Sequence, residues 1–469
     1  MKILFVYKGR YQVRDSITIE YLSSIAKQYN CKTALVYDQD TFGITDNVFY
    51  FPLLNRLTSR QEDIAKKIIK ENPDFVVFLD GFNRTKWNEA INKKIKQIKN
   101  KIRTINILSI KKESINLDYN YTLIGEAEYT FDKFLKDKIF NSKDGIYSFS
   151  GLANLDMLPL ADKFLFSKYI DFKLSYMLYT SKGCLYNCSY CEETIYKNEF
   201  GGAYFRRRSP KNVISELEKA KKDFDIREII YKDSVFTFDK EWLKEYLTLY
   251  REKINLPYKC FAKAEVFDEE IANLLKKSGC YCVEFGVQTF NEKIKKEILL
   301  RNESNQQLLA AFKICDRYNL PYDVDHLFGI PTESVKDHIE AARIYMNLKF
   351  LNRIKTHNLT FYPQAQIYNF APQYIKNNKN YQADFFSILS GEKNIININK
   401  IFIKYFKVLP LLPKKINLFI LKKNRLKIFT YFPNILILIC MFLVAIKNKD
   451  RRFLIYLRLY LRKILLSFQ

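Results

Sequence analysis

Short apolar runs alternate with amphipathic stretches along the first 140 residues. KILFVY (2–7), KTALVYD (32–38), DFVVFLD (74–80), RTINILSI (103–110) and YTLIGE (121–126) have the continuous apolar character of strands buried on both faces. Between them SITIEYLSSIAKQYN (16–30), SRQEDIAKKIIKENP (59–73) and NEAINKKIKQIKN (88–100) place apolar residues at helical spacing. Strand–helix–strand units of this length predict a parallel, doubly wound, Rossmann-like domain over residues 1–140, closing at the polar stretch NSKDG. Residues 141–174 read as a linker.

A second rhythm runs over 175–371. Its strands are SYMLYTSKG (175–183), IREIIYKDS (226–234), YKCFAKAE (258–265), CYCVEFGVQ (280–288), YDVDHLFGI (322–330) and KTHNLTFYP (355–363), with amphipathic helices between them. Six strands and five helices predict a partial (β/α)6 barrel of the TIM type, in which chemistry collects in the loops after the strands. Residues 372–469 leave that rhythm and read as a basic, hydrophobic, helical region.

With 469 residues the chain is long enough for two or three domains. Nine scattered cysteines, an odd number, do not form a secreted disulfide framework, and MKILFVYKGRYQ lacks the features of a signal peptide. Both point to a reducing, cytoplasmic setting in which thiols are free to bind metal. The three histidines are His326, His338 and His357, so no mechanism can draw a histidine from the first 300 residues.

Three of the cysteines, Cys184, Cys188 and Cys191, lie together in SKGCLYNCSYCEE (181–193), directly after a predicted strand. A structural zinc site takes four protein ligands, usually as two separated pairs. Three thiolates at CxxxCxxC spacing suit one face of a cubane 4Fe-4S cluster and leave one iron open. Cys280 and Cys282, about a hundred residues on, are the other candidates to complete a zinc site.

The triplet, with Tyr190 before its last cysteine, resembles that of the radical SAM superfamily. YTSKGCLYNCSYC is similar to that family's "TSRGCPYNCSFC", with Leu185 in place of proline. The resemblance implies that S-adenosyl-L-methionine chelates the open iron and is cleaved by one electron to a 5′-deoxyadenosyl radical. Flavodoxin or ferredoxin is the implied electron donor. It further implies contacts to S-adenosyl-L-methionine from Tyr190 (adenine), Asp233 in IYKDSVFT (methionine amino group) and Lys263 in AKAEVFDEE (methionine carboxylate, where arginine is usual). Gln288 in FGVQT would meet the ribose, and the Gly329 and Ile330 backbone in HLFGIPTES the adenine. The plain alternatives are a cap or turn for Asp233, a solvated strand end for Gln288, a surface residue for Lys263 and a helix cap for Glu333. His326 reads as structural, with proton donation the rival role.

The N-terminal half resembles the branch of this superfamily with a cobalamin-binding-like domain, through GEAEYTFDKFL (125–135) and LDMLPLAD (155–162). That implies cobalamin as a further cofactor and methyl transfer to carbon as the reaction. This half has no histidine to sit beneath cobalt, and only DTFG (40–43) and LDGFN (79–83) offer glycine loops for the cofactor tail. An empty domain, with radical rearrangement, cyclisation or oxidation, is the alternative. FYPQAQIYNFA (361–371) resembles "PYPGTPLY" with Gln364 and Ala365 replacing Gly-Thr, which implies an altered substrate pocket.

Charge changes the picture at the end of the chain. Residues 401–469 hold fifteen Lys and Arg against Asp450 alone, a net +14 of the total +26. NILILICMFLVAI (434–446) would be about 20 Å long as a helix, short of a bilayer span. Basic residues interleaved with Leu, Ile, Phe and Tyr describe helices lying at the inner face of an anionic membrane, which would suit a lipid-like as well as a small-molecule substrate. The alternative is a helical cover for the barrel. The apolar content is too continuous for a phosphate-binding arm, so no nucleic acid is expected. A non-catalytic, membrane-associated metal protein is the rival to the enzyme.

Overall fold

A computed structural model describes residues 1–469 except 10–14, 41–51, 82–83, 100, 111–117, 202–203, 372–392, 423–424, 451 and 468–469. It divides into two compact units, Met1–Phe172 with Asn198–Tyr204 and Leu454–Gln469, and Lys173–Lys197 with Phe205–Phe453.

The first unit is a six-stranded, wholly parallel sheet of β1 (Lys2–Lys8), β2 (Lys32–Asp38), β3 (Phe75–Leu79), β4 (Arg103–Leu108), β5 (Tyr121–Ile124) and β6 (Gly145–Ser148), in the order β2-β1-β3-β4-β5-β6. The order reverses between β1 and β3, as in doubly wound folds. β3 is buried throughout, which is why FVVFL lacks alternation. β6 lies beyond the boundary expected near residue 140, and the unit continues to Phe172. The expected linker is fastened to the domain. Asp162 accepts from Ser23 Oγ and Lys27 Nζ, both at 2.6 Å, and buried Lys163 lies 2.7 Å from both Asp15 and Glu20 on or beside helix Ile17–Gln28. Thr41–Gly43 and Phe82–Asn83, from the two glycine-loop candidates, lie outside the described residues.

The second unit is built on β7 (Tyr176–Leu178), β10 (Ile229–Tyr231), β11 (Tyr258–Ala262), β12 (Cys280–Gln288), β13 (Tyr322–Phe328) and β14 (Leu351–Asn358), all parallel and in sequence order. This is the expected (β/α)6 arrangement. A small antiparallel pair, β8 (Ser181–Lys182) with β9 (Arg206–Arg207), lies outside that sheet. Helix starts follow local capping: Ser209, Asp239, Asp268 and Asn291 each accept an amide of the first turn, and Ser304 with Gln307 forms a capping box.

β14 begins four residues earlier than its sequence pattern suggests. Arg353, Lys355 and His357 share its inward face and meet Asp323, Glu284 and Asp325 across the sheet. Charged inward positions disguise a strand until their partners are known. The inner end of this sheet is closed from the C-terminal region. Arg452 Nη1 lies 2.9 Å from Asp323 Oδ2, its Nε 2.7 Å from Asp450 Oδ1, and Asn352 Nδ2 donates to both acids at 2.9 and 3.0 Å. Helix Lys393–Val408 packs Phe402 and Phe406 against His338 and His326. Among the described residues no single helix is long and apolar enough to cross a membrane.

Candidate active site

The chain leaves the barrel sheet immediately after β7, because a buried carboxylate captures it. Asp233, beyond the end of β10, accepts from Thr180 N (3.1 Å to Oδ1), Thr180 Oγ1 (2.6 Å) and Ser181 Oγ (2.5 Å). The predicted strand 175–183 is therefore broken into β7 and β8. Gly183 follows at φ +89°, a conformation that favours glycine, and turns the backbone into the cysteine loop. Asp233 is thus a positioning residue for that loop, with its carboxylate already engaged there, rather than standing free for a ligand's amino group.

Both flanks of the loop are anchored. Ser189 N and Oγ donate to Leu299 O and Ile298 O at 3.0 and 2.6 Å, Ile367 N donates to Ser189 O at 3.0 Å, and Thr194 Oγ1 donates to Cys188 O at 2.9 Å. The Ile367 contact brings the altered FYPQAQIYNFA segment against the cysteines. Cys184, Cys188 and Cys191 are free thiols, Cys188 buried and the others half-buried. Burial raises the Cys184 thiol and pushes Cys191 up to about 12. Sites this averse to a bare thiolate suit metal ligation, because a cation supplies the charge that lets the sulfur ionise.

Two residues that sequence reading missed tie this loop to the sheet. Arg301, buried, donates from Nη1 to Tyr190 Oη (3.0 Å), from Nη2 to Gly286 O (2.6 Å) and from Nε to Glu303 Oε1 (2.5 Å). Glu303 Oε2 lies 3.2 Å from Lys263 Nζ, which also pairs with Glu265 and sits 3.4 Å over the Tyr186 ring. The run Tyr190–Arg301–Glu303–Lys263–Tyr186 thereby fixes both aromatic residues of the CxxxCxxC loop. Little in the local sequence marks Arg301, since the partners that tie it to the loop and the sheet lie 111 and 15 positions away. Burial holds the Tyr190 hydroxyl well above its usual range, and it remains a neutral partner of Arg301.

Gln288 ends β12 at φ +65° and is buried. A Cβ on Gly286 would lie 2.7 Å from Gln288 Nε2, so the glutamine folds back over its own strand. Gly329 has φ +78°, with no atom of the described residues within 4 Å of where a Cβ would stand. Its backbone is open to a ligand, while Ile330 beside it is buried. His326 lies on the opposite face of β13 from Asp323 and Asp325 and pairs through Nδ1 with Tyr345 Oη at 3.1 Å, which removes it from the inward face and from proton donation there. Glu333 does not cap the following helix, because Ser334 and Asp337 form that capping box. The inward face instead carries Glu284 paired with both Lys259 and Lys355, with the pair His357–Asp325 at 3.2 Å beyond them.

An open parallel (β/α)6 sheet with three free thiols on the loop after its first strand defines a class, barrels that hold a metal cluster at the carboxyl ends of their strands. Residues 178–344 match the model of the radical SAM superfamily. An uncharacterized methyltransferase of Pyrococcus horikoshii is 25% identical over 229 residues, covering 47% of this chain and 48% of its own length. Cytidylyl-2-hydroxyethylphosphonate methyltransferase of Streptomyces wedmorensis is 30% identical over 124 residues, 26% of this chain and 22% of its own. The chain thus spans half or less of these curated relatives. The radical S-adenosylmethionine methyltransferase TsrM of Kitasatospora setae, solved with tryptophan and a SAM analog bound, has the same fold at a TM-score of 0.56 and 13% identity, over 78% of this chain and 74% of that one. OxsB, solved as a cobalamin-dependent S-adenosylmethionine radical enzyme, gives 0.55 and 16%, over 81% and 56%.

Proposed function

We propose that the protein is a radical SAM enzyme that transfers a methyl group to the carbon of a small polar substrate with the help of cobalamin. The observation that carries the proposal is the cysteine loop, three thiols held at the carboxyl end of the barrel sheet by Asp233, Ser189 and Arg301. When bound, the 4Fe-4S cluster and S-adenosyl-L-methionine supply a 5′-deoxyadenosyl radical, and methylcobalamin supplies the methyl group.

The chain's own residues then have definite tasks. Cys184, Cys188 and Cys191 would hold three irons and leave the fourth for S-adenosyl-L-methionine. Arg301 fixes the Tyr190 ring that would border the adenine, and the exposed Gly329 backbone would be a second contact. Lys263 lies over the Tyr186 ring of the loop, already shared between Glu265 and Glu303, and its positive charge would meet the methionine carboxylate only by loosening one of those pairs. The charged inward face, with Lys259, Glu284, Lys355 and the His357–Asp325 pair, favours a polar substrate over a lipid-like one.

Cobalamin fits the N-terminal unit by its fold. Ligands of doubly wound sheets lie beyond the carboxyl ends of the strands, at the point where the order reverses. Flanking that point, at the carboxyl end of β2 and late in β4, Gln39 Oε1 and Asn106 Oδ1 are buried without a hydrogen-bond partner among the described residues. No histidine precedes His326, so an N-domain imidazole would not ligate cobalt.

Anaerobic purification from cobalamin-supplemented cells tests the reading. Stoichiometric cobalt together with about four irons is expected; iron without cobalt would leave a radical SAM enzyme but refute methyl transfer through cobalamin. Exposed apolar side chains in the C-terminal region, Phe419, Ile428 and Tyr431 among them, lie between basic residues and support a peripheral contact with anionic membrane. Failure to float with phosphatidylserine vesicles would remove that contact.

A further inference from the structure

Behind the barrel strand β13, on the face away from the inward-facing charges, three metal-ligating side chains converge in an aromatic enclosure. His326 comes from the strand, Glu333 from the loop after it, and His338 from helix Val335–Tyr345. One donor atom from each lies within 4.8 Å of the others, and His338 Nε2 stands 3.6 Å from Glu333 Oε2. Phe328, Phe402 and Phe406 wall the group, with ring centroids about 5 Å from the imidazoles at 4.8 Å (Phe328–His338), 5.0 Å (Phe402–His338) and 4.9 Å (Phe406–His326).

The hydrogen bonds in this enclosure do not close. His326 Nδ1 meets Tyr345 Oη, yet its Nε2 is buried without a partner among the described residues, as is Glu333 Oε1. A buried polar atom left unpaired is costly. A proton shared between Glu333 and His338 does not account for the arrangement, because 3.6 Å exceeds a hydrogen bond and His326 Nε2 would stay unmatched. Asn399, from the helix covering the group, also interacts with His338.

We infer that His326, Glu333 and His338 form a structural binding site for a divalent ion of the zinc class. Two imidazoles and one carboxylate are an established zinc donor set, completed by a water. The 3.6 Å separation is close to one edge of a tetrahedron with ligand bonds of about 2.0–2.2 Å, which has an edge of roughly 3.4 Å. Donation from His326 Nδ1–H to Tyr345 Oη leaves the Nε2 lone pair for the metal, the arrangement by which an outer partner fixes a ligand's tautomer. The ion would pin the Gly329–Ile330 loop to the helix behind it.

The test uses full-length protein with its cluster reconstituted anaerobically, equilibrated with zinc and dialysed into metal-free buffer. One zinc per chain is expected beside about four irons. The Cys184→Ala/Cys188→Ala/Cys191→Ala variant should lose the iron and keep the zinc. The His326→Ala/His338→Ala variant should keep the iron, lose the zinc and lose any rise in Tm on zinc addition. Should that double variant not fold, cobalt(II) replaces zinc in the otherwise wild-type protein, and its tetrahedral d–d bands should weaken on Glu333→Gln. No zinc in the triple-cysteine variant, full zinc in the histidine variant, or cobalt bands indifferent to Glu333→Gln would each overturn the site.

Discussion

Arg452→Ala tests whether the basic C-terminal region is part of the barrel. The guanidinium is buried, with Nη1 2.9 Å and Nη2 3.3 Å from Asp323 and Nε 2.7 Å from Asp450. Truncation removes these charge-assisted bonds and leaves two buried carboxylates facing fewer cations. Breaking a buried ion pair from one side costs about 3–5 kcal/mol. Asp323 retains Lys259 at 3.1 Å and Arg353 at 3.4 Å, which puts the expectation at the lower end, about 3 kcal/mol. For a unit of this size that lowers Tm by about 6–12 °C. Differential scanning calorimetry reads the change, and Arg452→Lys, which keeps the charge without the two-pronged contact, should fall between variant and wild type. A shift in Tm below about 2 °C would show that the C-terminal segment does not close the sheet, and would leave its charges to serve another partner.

The same acids give a pH dependence. Asp450 is held down to about 2 by Arg353 and Arg452 against the opposing effect of burial, and Asp323 is driven well below its usual range by Arg452, Arg353 and Lys259. A carboxylate depressed in the folded state contributes stability that is present above its unfolded pKa of about 4 and lost as pH falls through the folded value, about 2 kcal/mol for Asp450 alone. The loss of stability between pH 6 and pH 3 should therefore be larger in the wild type than in Asp450→Asn, where Asp323 still responds. Asp233→Ala frees the Thr180 amide and hydroxyl, and reconstituted iron should fall to less than half; full iron would remove Asp233 from the support of the loop. Arg301→Gln should raise KM for S-adenosyl-L-methionine at least about tenfold with little loss of iron, the cost of one charged hydrogen-bond donor. An unchanged KM would detach the Tyr190–Arg301 pair from the ligand.

What could be read from the chain divides along physical lines. Strands such as β12 and helices such as Pro210–Phe224 coincide with their sequence patterns, because period and capping are local. The cysteine triplet was legible for the same reason, three ligands within eight positions. Arg301, Glu303 and Arg452 were not, because their roles exist only once distant partners meet. β14 was displaced in the reading because Arg353 and Lys355 point inward, a position that looks polar until Asp323 and Glu284 answer it. His326 carried a site-facing alternative that the alternation along β13 disposes of. Asp233 was read as a contact for the methionine amino group, and its carboxylate accepts from Thr180 and Ser181. The basic C-terminal stretch was read either as a membrane element or as a helical cover for the barrel, and Asp450 and Arg452 are drawn under the barrel strands as the second reading requires.

The most direct measurement is iron content and reductive cleavage of S-adenosyl-L-methionine after anaerobic reconstitution, for the wild type and for Cys188→Ala. About four irons per chain and 5′-deoxyadenosine released on reduction are expected from the wild type, and neither from the variant. Tightly held zinc at the three cysteines, with no 5′-deoxyadenosine formed, would contradict the account.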